Sequence, residues 1–355
     1  MKTKIVKIDQ NNIEKDKLIY AANIIRNGGL VAFPTETVYG LGANALNSES
    51  VNSIFKAKGR PSDNPLIVHI ADSKSIDHLV LKVLPGVQKL INRFWPGPLT
   101  LVFRKSPIIP DEITAGLDTV AIRMPSHPIA LALIKESGLP IAAPSANSSG
   151  RPSPTLASHV MEDLSGKVDL IIDGGATDVG LESTVLDTTS IPPSILRPGA
   201  ITIEQLREEL EEVELDPALL SRDYINVTPK SPGVKYKHYS PTADLIVVEG
   251  EPNNVVSKIN ELVIDYTNKG IKVGILATEQ TKDFYNRLID NKPVVISMGD
   301  RSHPDMIASN LFSCFREMDH QNIQVILAEA VNKTGIGLAV MNRMNKAAGY
   351  NIIKA

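Results

Sequence analysis

Short polar clusters in the first 200 residues bring together side chains able to hold phosphate and a small polar ligand. The run Phe33-Pro-Thr-Glu-Thr-Val-Tyr-Gly-Leu-Gly42 puts the hydroxyls of Thr35 and Thr37 directly after a buried strand, with Gly40 and Gly42 close behind. Hydroxyls beside glycines let a small polar ligand come near the backbone, and they equally cap a plain strand-to-loop turn. In Lys56-Ala-Lys58-Gly-Arg60-Pro-Ser-Asp-Asn64, three cations crowd into five residues framed by Gly59 and Pro61. A guanidinium fork beside an ammonium is the pairing that polyphosphate binding needs; the alternative is a solvated basic loop. His69 closes an apolar strand and, taken alone, reads as a core histidine. Arg123 ends the run Thr119-Val-Ala-Ile and must meet either an anion or an acidic partner. The stretch Ala142-Ala143-Pro-Ser145-Ala-Asn147-Ser-Ser-Gly150-Arg-Pro-Ser153 supplies small donors, suited to a phosphate cradle or to a surface loop. Gly180-Leu-Glu-Ser183 and Leu196-Arg197-Pro-Gly199 complete the set.

All of these clusters fall at the ends of candidate strands. Apolar runs predict strands over 30–33, 66–70, 99–103, 120–122, 140–143, 170–172, 184–186 and 194–196, with helices over 48–57, 85–94, 127–137 and 155–163. A further helix presents Leu18, Ala21, Ala22 and Ile25 on one face before Gly28-Gly29. Too little chain separates 184–186 from 194–196 for a helical crossover, so that pair must run antiparallel and the sheet must be mixed. Residues 201–215 read as a helix and 216–243 as a Pro-rich linker. Beyond it, strands at 244–249, 271–276, 293–297 and 323–327 alternate with helices near 253–268, 279–289, 302–319 and 336–347. That alternation predicts a smaller, Rossmann-like, mainly parallel α/β domain. Its first turn, Glu249-Gly-Glu-Pro252, lacks the glycine fingerprint of a dinucleotide site. The expected division is 13–200, a helix and linker over 201–243, and 244–355.

The composition narrows the function classes. Across 355 residues, 43% hydrophobic and 22% charged, a formal charge of −3 argues against a protein that coats nucleic acid. The acidity gathers between Glu204 and Glu214, a solvated face. No P-loop or HExxH motif occurs, the seven histidines lack ligand spacing, and Cys314 stands alone, so neither a disulfide nor a cysteine zinc cluster is expected. Without an apolar run near the roughly 20 residues of a membrane span, and without a leader-like start, a cytoplasmic protein is expected.

In order, PTETVYGLG, KAKGRPSDNPL, FWPGPLT, VAIRMPSH, APSANSSGRPSPT, ESTV and ILRPGAI resemble the YrdC-type L-threonylcarbamoyladenylate synthases over about residues 13–200. The linker Ser231-Pro-Gly-Val-Lys-Tyr-Lys-His-Tyr-Ser-Pro241, followed by an α/β domain, resembles their long two-domain form. The resemblance implies a nucleotidyltransferase that condenses L-threonine, bicarbonate or CO2, and ATP into threonylcarbamoyl-AMP and pyrophosphate. Mg2+ would accompany ATP. The product would feed N6-threonylcarbamoyladenosine formation at tRNA position 37 through a transiently met transferase complex, with no tRNA needed for adenylation. It places Thr35, Thr37, His69, Arg123, Ala143 and Ser183 at the amino acid. Arg60, Asn64, Thr119, Ser145, Asn147, Ser153 and Arg197 fall at ATP, with Lys58 and Arg60 facing the leaving pyrophosphate. Either Tyr236 or Tyr239 would close over the nucleotide, with the 216–243 linker as a lid. Two other readings compete: a non-catalytic RNA-binding module, and a carbamoyl-transfer domain of the hydrogenase-maturation type.

Overall fold

Residues 2–219, 239–285 and 293–355 are described by the computed structural model. They belong to two units, Met1–Ser149 with Ser153–Tyr236, and Gly150–Pro152 with Lys237–Ala355. The first unit is built on β1 (Lys4–Lys7), β2 (Val31–Phe33), β3 (Gly40–Asn44), β4 (Ile67–His69), β5 (Leu99–Arg104), β6 (Thr119–Arg123), β7 (Ile141–Ala142), β8 (Leu170–Asp173), β9 (Thr184–Asp187), β10 (Ser194–Arg197) and β11 (Glu214–Leu215). They join in one sheet of order β1-β8-β2-β3-β7-β4-β6-β5-β9-β10-β11. The sheet is mixed, as expected: β4 runs parallel to β6 and β5 to β9, while β5/β6 and β9/β10 are antiparallel.

Alternation along these strands decides where a site can form. Val68, Leu101, Ile122, Leu186 and Ile195 point into the main core, shared with α2 (Ser48–Lys58), α3 (Ile76–Leu79), α4 (Pro85–Phe94), α5 (Asp111–Thr114) and α7 (Ala157–Leu164). On the opposite face, α1 (Lys15–Arg26) and α6 (Pro128–Ser137) cover only β2 and β8 and their neighbours. Further along that face lies a separate small cluster, Ile67, Val102, Ala121, Val185 and Leu196. The polar strand ends extend from this apolar floor.

Two local expectations change. The glycine-bearing segment after Thr37 is a strand, β3, antiparallel to β2, so Thr35-Glu36-Thr37 sits in a hairpin connection. Glycine is required there by packing: a Cβ on Gly42 would lie 2.7 Å from the Phe33 ring and 2.9 Å from Ile141. The helix expected over 201–215 shrinks to α8 (Ile203–Arg207), opened by a Thr202–Gln205 capping box. Glu208, Glu209, Glu211 and Glu212 follow at repelling helical spacings, and the chain turns into β11 beside β10. Residues 201–219 thus extend the first unit.

The second unit holds β12 (Asp244–Glu249), β13 (Val273–Ala277), β14 (Val294–Ser297), β15 (Val325–Glu329) and β16 (Ile352–Lys354) in the order β14-β13-β15-β12-β16. Every pair is parallel. Its helices are α9 (Pro252–Asn268), α10 (Lys282–Tyr285), α11 (Pro304–His320) and α12 (Gly337–Ala347). Val255, Ile259 and Val263 of α9 supply the buried stripe read from the sequence. The rest of the helix expected over 279–289, beyond Tyr285, lies outside the described residues.

Candidate active site

Five adjacent strands set the cluster that the resemblance assigns to the amino acid. Register places His69 of β4 beside Arg123 of β6, and Arg123 beside Thr100 of β5. Thr100 in turn faces Val185 of β9, which faces Arg197 of β10. Facing residues in a sheet share one side, so the polar groups project next to the small apolar floor. Arg123 donates through Nη1 to Thr37 Oγ1 at 2.9 Å and through Nε to the Gly97 carbonyl at 3.2 Å. Its Nη2 lies 2.6 Å from the Glu36 carboxylate, with both side chains buried. Thr35 and Thr37 hydroxyls are 2.8 Å apart, and Thr35 donates to the Val38 carbonyl at 2.7 Å.

Electrostatics follow from this burial. Desolvation alone would raise the Glu36 carboxyl, but the Arg123 charge and hydrogen bonding outweigh it and hold the group below its usual value. His69 is pushed down to about 3, by burial first and the Arg123 charge second, so its ring is neutral at pH 7. Its Nδ1 accepts no hydrogen bond. Ala143 docks by its backbone, donating N–H to the Ile67 carbonyl at 3.0 Å.

The cluster that the resemblance assigns to the nucleotide centres on the end of α2. Gly59, in the left-handed conformation, caps that helix between Lys58 and Arg60. Lys58 is buried and donates to the Ser145 carbonyl at 2.5 Å and to the Asn147 carbonyl, with Asn147 Oδ1 at 3.3 Å. Burial, and next the nearby Arg60 charge, push its ammonium well below the ordinary lysine value. Lys58, the cation of the K-x-R element, thus reaches the 145–147 loop, where Ser145 Oγ donates to Asn147 Oδ1 at 2.6 Å. Arg60 donates to the carbonyls of Asn64 and Pro65 at 3.3 and 3.2 Å. A cavity of about 400 Å3 opens beside it, lined also by Asn52, Phe55 and Lys56. Asn64 is buried with Oδ1 unpartnered. Thr119 starts β6, one strand-length from Arg123.

Arg197 joins the two clusters. Its Nε donates to the Ser183 carbonyl at 3.0 Å and its Nη2 to Ser183 Oγ at 3.1 Å. Ser183 Oγ also meets Thr100 Oγ1 at 2.7 Å. A Cβ on Gly199 would collide with the backbone of Ser183 and Thr184, so glycine is what lets the Arg197 turn press there. Ser153 is buried and donates to the Glu182 carboxylate. The linker tyrosines fall differently. Tyr236 lies outside the described residues. Tyr239 is buried in the second unit, its ring stacked 5.4 Å from Phe312 with the Arg343 guanidinium 5.3 Å away.

Comparison with known proteins places the chain. A family model described as "Telomere recombination" matches residues 23–199, and one described as "Threonylcarbamoyl-AMP synthase, C-terminal domain" matches 201–349. A threonylcarbamoyl-AMP synthase of Pyrococcus abyssi is 50% identical over 345 residues, covering 97% of this chain and 98% of its own. The one from Bacillus subtilis is 47% identical over 347 residues, covering 98% and 97%. The chain belongs to the threonylcarbamoyl-AMP synthase family. A crystal structure of P. abyssi Sua5 complexed with L-threonine superposes with a TM-score of 0.93 at 49% identity, covering 99% of this chain and all of that one. The α/β architecture with its second, parallel-sheet domain is that of the synthase fold.

Among the described residues of this synthase-family chain, no group of three or more His, Cys, Asp or Glu side chains is placed to hold a metal ion. Three residues in contact with the clusters were not singled out from the sequence: Glu36, Thr100 and Glu182. Each lies inside a quoted motif, but only the strand register and the hairpin reveal what it touches.

Proposed function

We propose that this chain is a nucleotidyltransferase that condenses L-threonine, bicarbonate or CO2, and ATP into threonylcarbamoyl-AMP, releasing pyrophosphate. The observation that carries the reading is the Arg197–Ser183 contact, where a side chain of the nucleotide set donates twice to a residue of the amino-acid set. Two residue sets in direct contact suit a reaction between two bound substrates, because holding both makes the step effectively unimolecular.

In this reading Arg123 grips the threonine carboxylate as a bidentate fork. Neutral His69 offers Nδ1 as an acceptor, and Thr37 with Ser183 reads the remaining polar hydrogens of the amino acid. The carbamate formed on the amine attacks the α-phosphorus, forming one P–O bond while the bond to pyrophosphate breaks. Arg60 and Arg197 balance the charge that builds on the leaving group. Lys58 acts one step back, fixing the loop that carries Ser145 and Asn147. Asn64, Thr119 and Ser153 complete the nucleotide side, and Ala143 brings backbone to the junction. Mg2+ would arrive on the ATP phosphates and neutralise their charge, a mode that asks for only one or two protein carboxylates. Glu182, which accepts from Ser153, would be the carboxylate to serve there.

The product would be passed to a threonylcarbamoyl transferase complex that modifies adenosine 37 of tRNA, with tRNA absent from the adenylation step and the reaction taking place in the cytoplasm. A net charge of −3 agrees with a protein that need not hold tRNA, and no described helix is long and apolar enough to cross a membrane. The test is pyrophosphate release from ATP in bicarbonate buffer without RNA. Release that depends on L-threonine supports the reading; release indifferent to threonine, or requiring RNA, overturns it.

A further inference from the structure

The amino-acid cluster contains more unsatisfied polarity than a structural salt bridge explains. Both Glu36 carboxylate oxygens, Arg123 Nη2 and His69 Nδ1 are buried without an aligned hydrogen bond. Glu36 and Arg123 are nevertheless 2.6 Å apart, a close charge contact whose hydrogen-bond geometry is poor. The backbone N–H groups of Glu36 and Ser126 face the carboxylate and steady its charge. Burying two charges costs several kcal/mol each, and a pair that recovers this incompletely is a poor stabilising device. Buried polar atoms left over in a native fold call for an explanation, and here all four belong to one cluster, Arg123 meeting Glu36 and standing beside His69 in the sheet.

Geometry supplies one. Glu36 is held between two threonines whose hydroxyls are bonded to each other, and its own carbonyl accepts the Val179 N–H at 2.8 Å. Its backbone is therefore fixed while its carboxylate remains under-bonded. Among the charged groups acting on His69, Glu36 is the anion and Arg123 the cation. His69 itself is neutral and cannot balance a cation.

We infer that Glu36 reads the ammonium group of the amino acid, and that the Glu36–Arg123 pair is an internal stand-in for the two charged ends of that ligand. This rests on the amino-acid site proposed above. When the amino acid binds, its carboxylate takes the Arg123 fork and its ammonium takes Glu36, so each buried charge exchanges one partner for another. Neither protein charge is left uncompensated. A ligand with the carboxylate but no ammonium claims Arg123 and strands Glu36 as an unpaired buried anion, the outcome a specific site rejects most strongly.

The experiment is calorimetric titration of the full chain with L-threonine and with 3-hydroxybutanoate, which is threonine without its amine. Wild type should bind threonine and discriminate strongly against 3-hydroxybutanoate. Glu36→Gln should weaken threonine by about 30-fold or more, the usual scale for losing one member of a buried charge pair, and should narrow the discrimination. Glu36→Asp should recover part of both, and unchanged ATP titration reports that each variant is folded. If Glu36→Gln fails that control, the shift in discrimination between wild type and Glu36→Asp decides. Equal wild-type binding of the two ligands, or undiminished discrimination in Glu36→Gln, overturns the inference. Absence of threonine-dependent pyrophosphate release in a wild type that still discriminates overturns the synthase reading alone.

Discussion

Each unit buries a glutamate against an arginine near a strand end, and the two pairs are finished to different degrees. In the second unit Glu329, at the end of β15, accepts from the Thr278 N–H at 3.1 Å, Thr278 Oγ1 at 2.9 Å, Tyr285 OH at 2.6 Å and Arg301 Nη2 at 2.8 Å. Burial, and then the Glu329 charge, push the Tyr285 phenol far up, so its proton stays in that network. In the first unit Glu36 has one charge partner and two under-bonded oxygens. The charges are alike and both glutamates are buried, though Arg301 is a quarter exposed where Arg123 is not; the saturation of hydrogen bonds differs most. A closed network makes a sheet edge rigid, whereas an open one leaves bonding capacity for a ligand.

The comparison can be broken from either side. The largest effect belongs to the open pair. Arg123→Ala should lower kcat/KM for threonine in pyrophosphate release by on the order of 10³-fold, since it removes the permanent cation and strands Glu36. Retained activity would make this pair as structural as the other. Next comes Glu329→Ala, which should cost about 3 kcal/mol of stability in urea titration while leaving KM for threonine unchanged per folded molecule. A KM shift there would erase the distinction drawn between the units.

Two smaller effects sharpen it. Lys58→Met frees the 145–147 loop, so kcat/KM for ATP should fall by about 10²-fold, the scale of a small misplacement, with threonine affinity preserved. A threonine effect as large as the ATP effect would show that Lys58 serves both substrates. The last is a pH slope. His69 is held at about 3, so between there and its unfolded value of 6.5 the unfolded chain binds a proton that the native one refuses. Its contribution to stability is therefore complete above pH 6.5 and falls by about 1.4 kcal/mol per pH unit below it. His69→Asn should flatten the loss of the urea midpoint between pH 6.5 and 5; an unchanged slope would mean that the native imidazole titrates normally.

Much of this arrangement was legible in the sequence. The strands at 66–70, 99–103, 120–122 and 184–186 are apolar runs distinct enough to place their polar ends, and the 184–196 spacing required the antiparallel pair that formed. Most motif residues lie at the ends of such strands, while Lys58 and Arg60 stand at the end of α2. What escaped depends on register or on tight packing. Thr100 becomes part of the site only because β5 sets it opposite Arg123 and its hydroxyl reaches Ser183, across 83 residues of chain. Strand β3 was hidden by glycines that conventional strand propensity disfavours but the Phe33 ring demands. Glu36 stood in plain view between two noted threonines, and nothing in spacing alone shows that its carboxylate meets a guanidinium. Lys58 stood out in the sequence as one of three crowded cations, yet its burial against the 145–147 loop is a tertiary fact.

The threonine hairpin has one further consequence. Arginine only donates and a carbonyl only accepts, so the bonds from Arg123 to Thr37 and from Thr35 to Val38 O force the Thr37 proton toward Thr35. The row is a one-way wire of protons. What Thr37 can still show a visitor is an oxygen lone pair, never a hydrogen. An amine or an alcohol arriving there brings the missing proton with it, while a ketone or an ether meets oxygen facing oxygen.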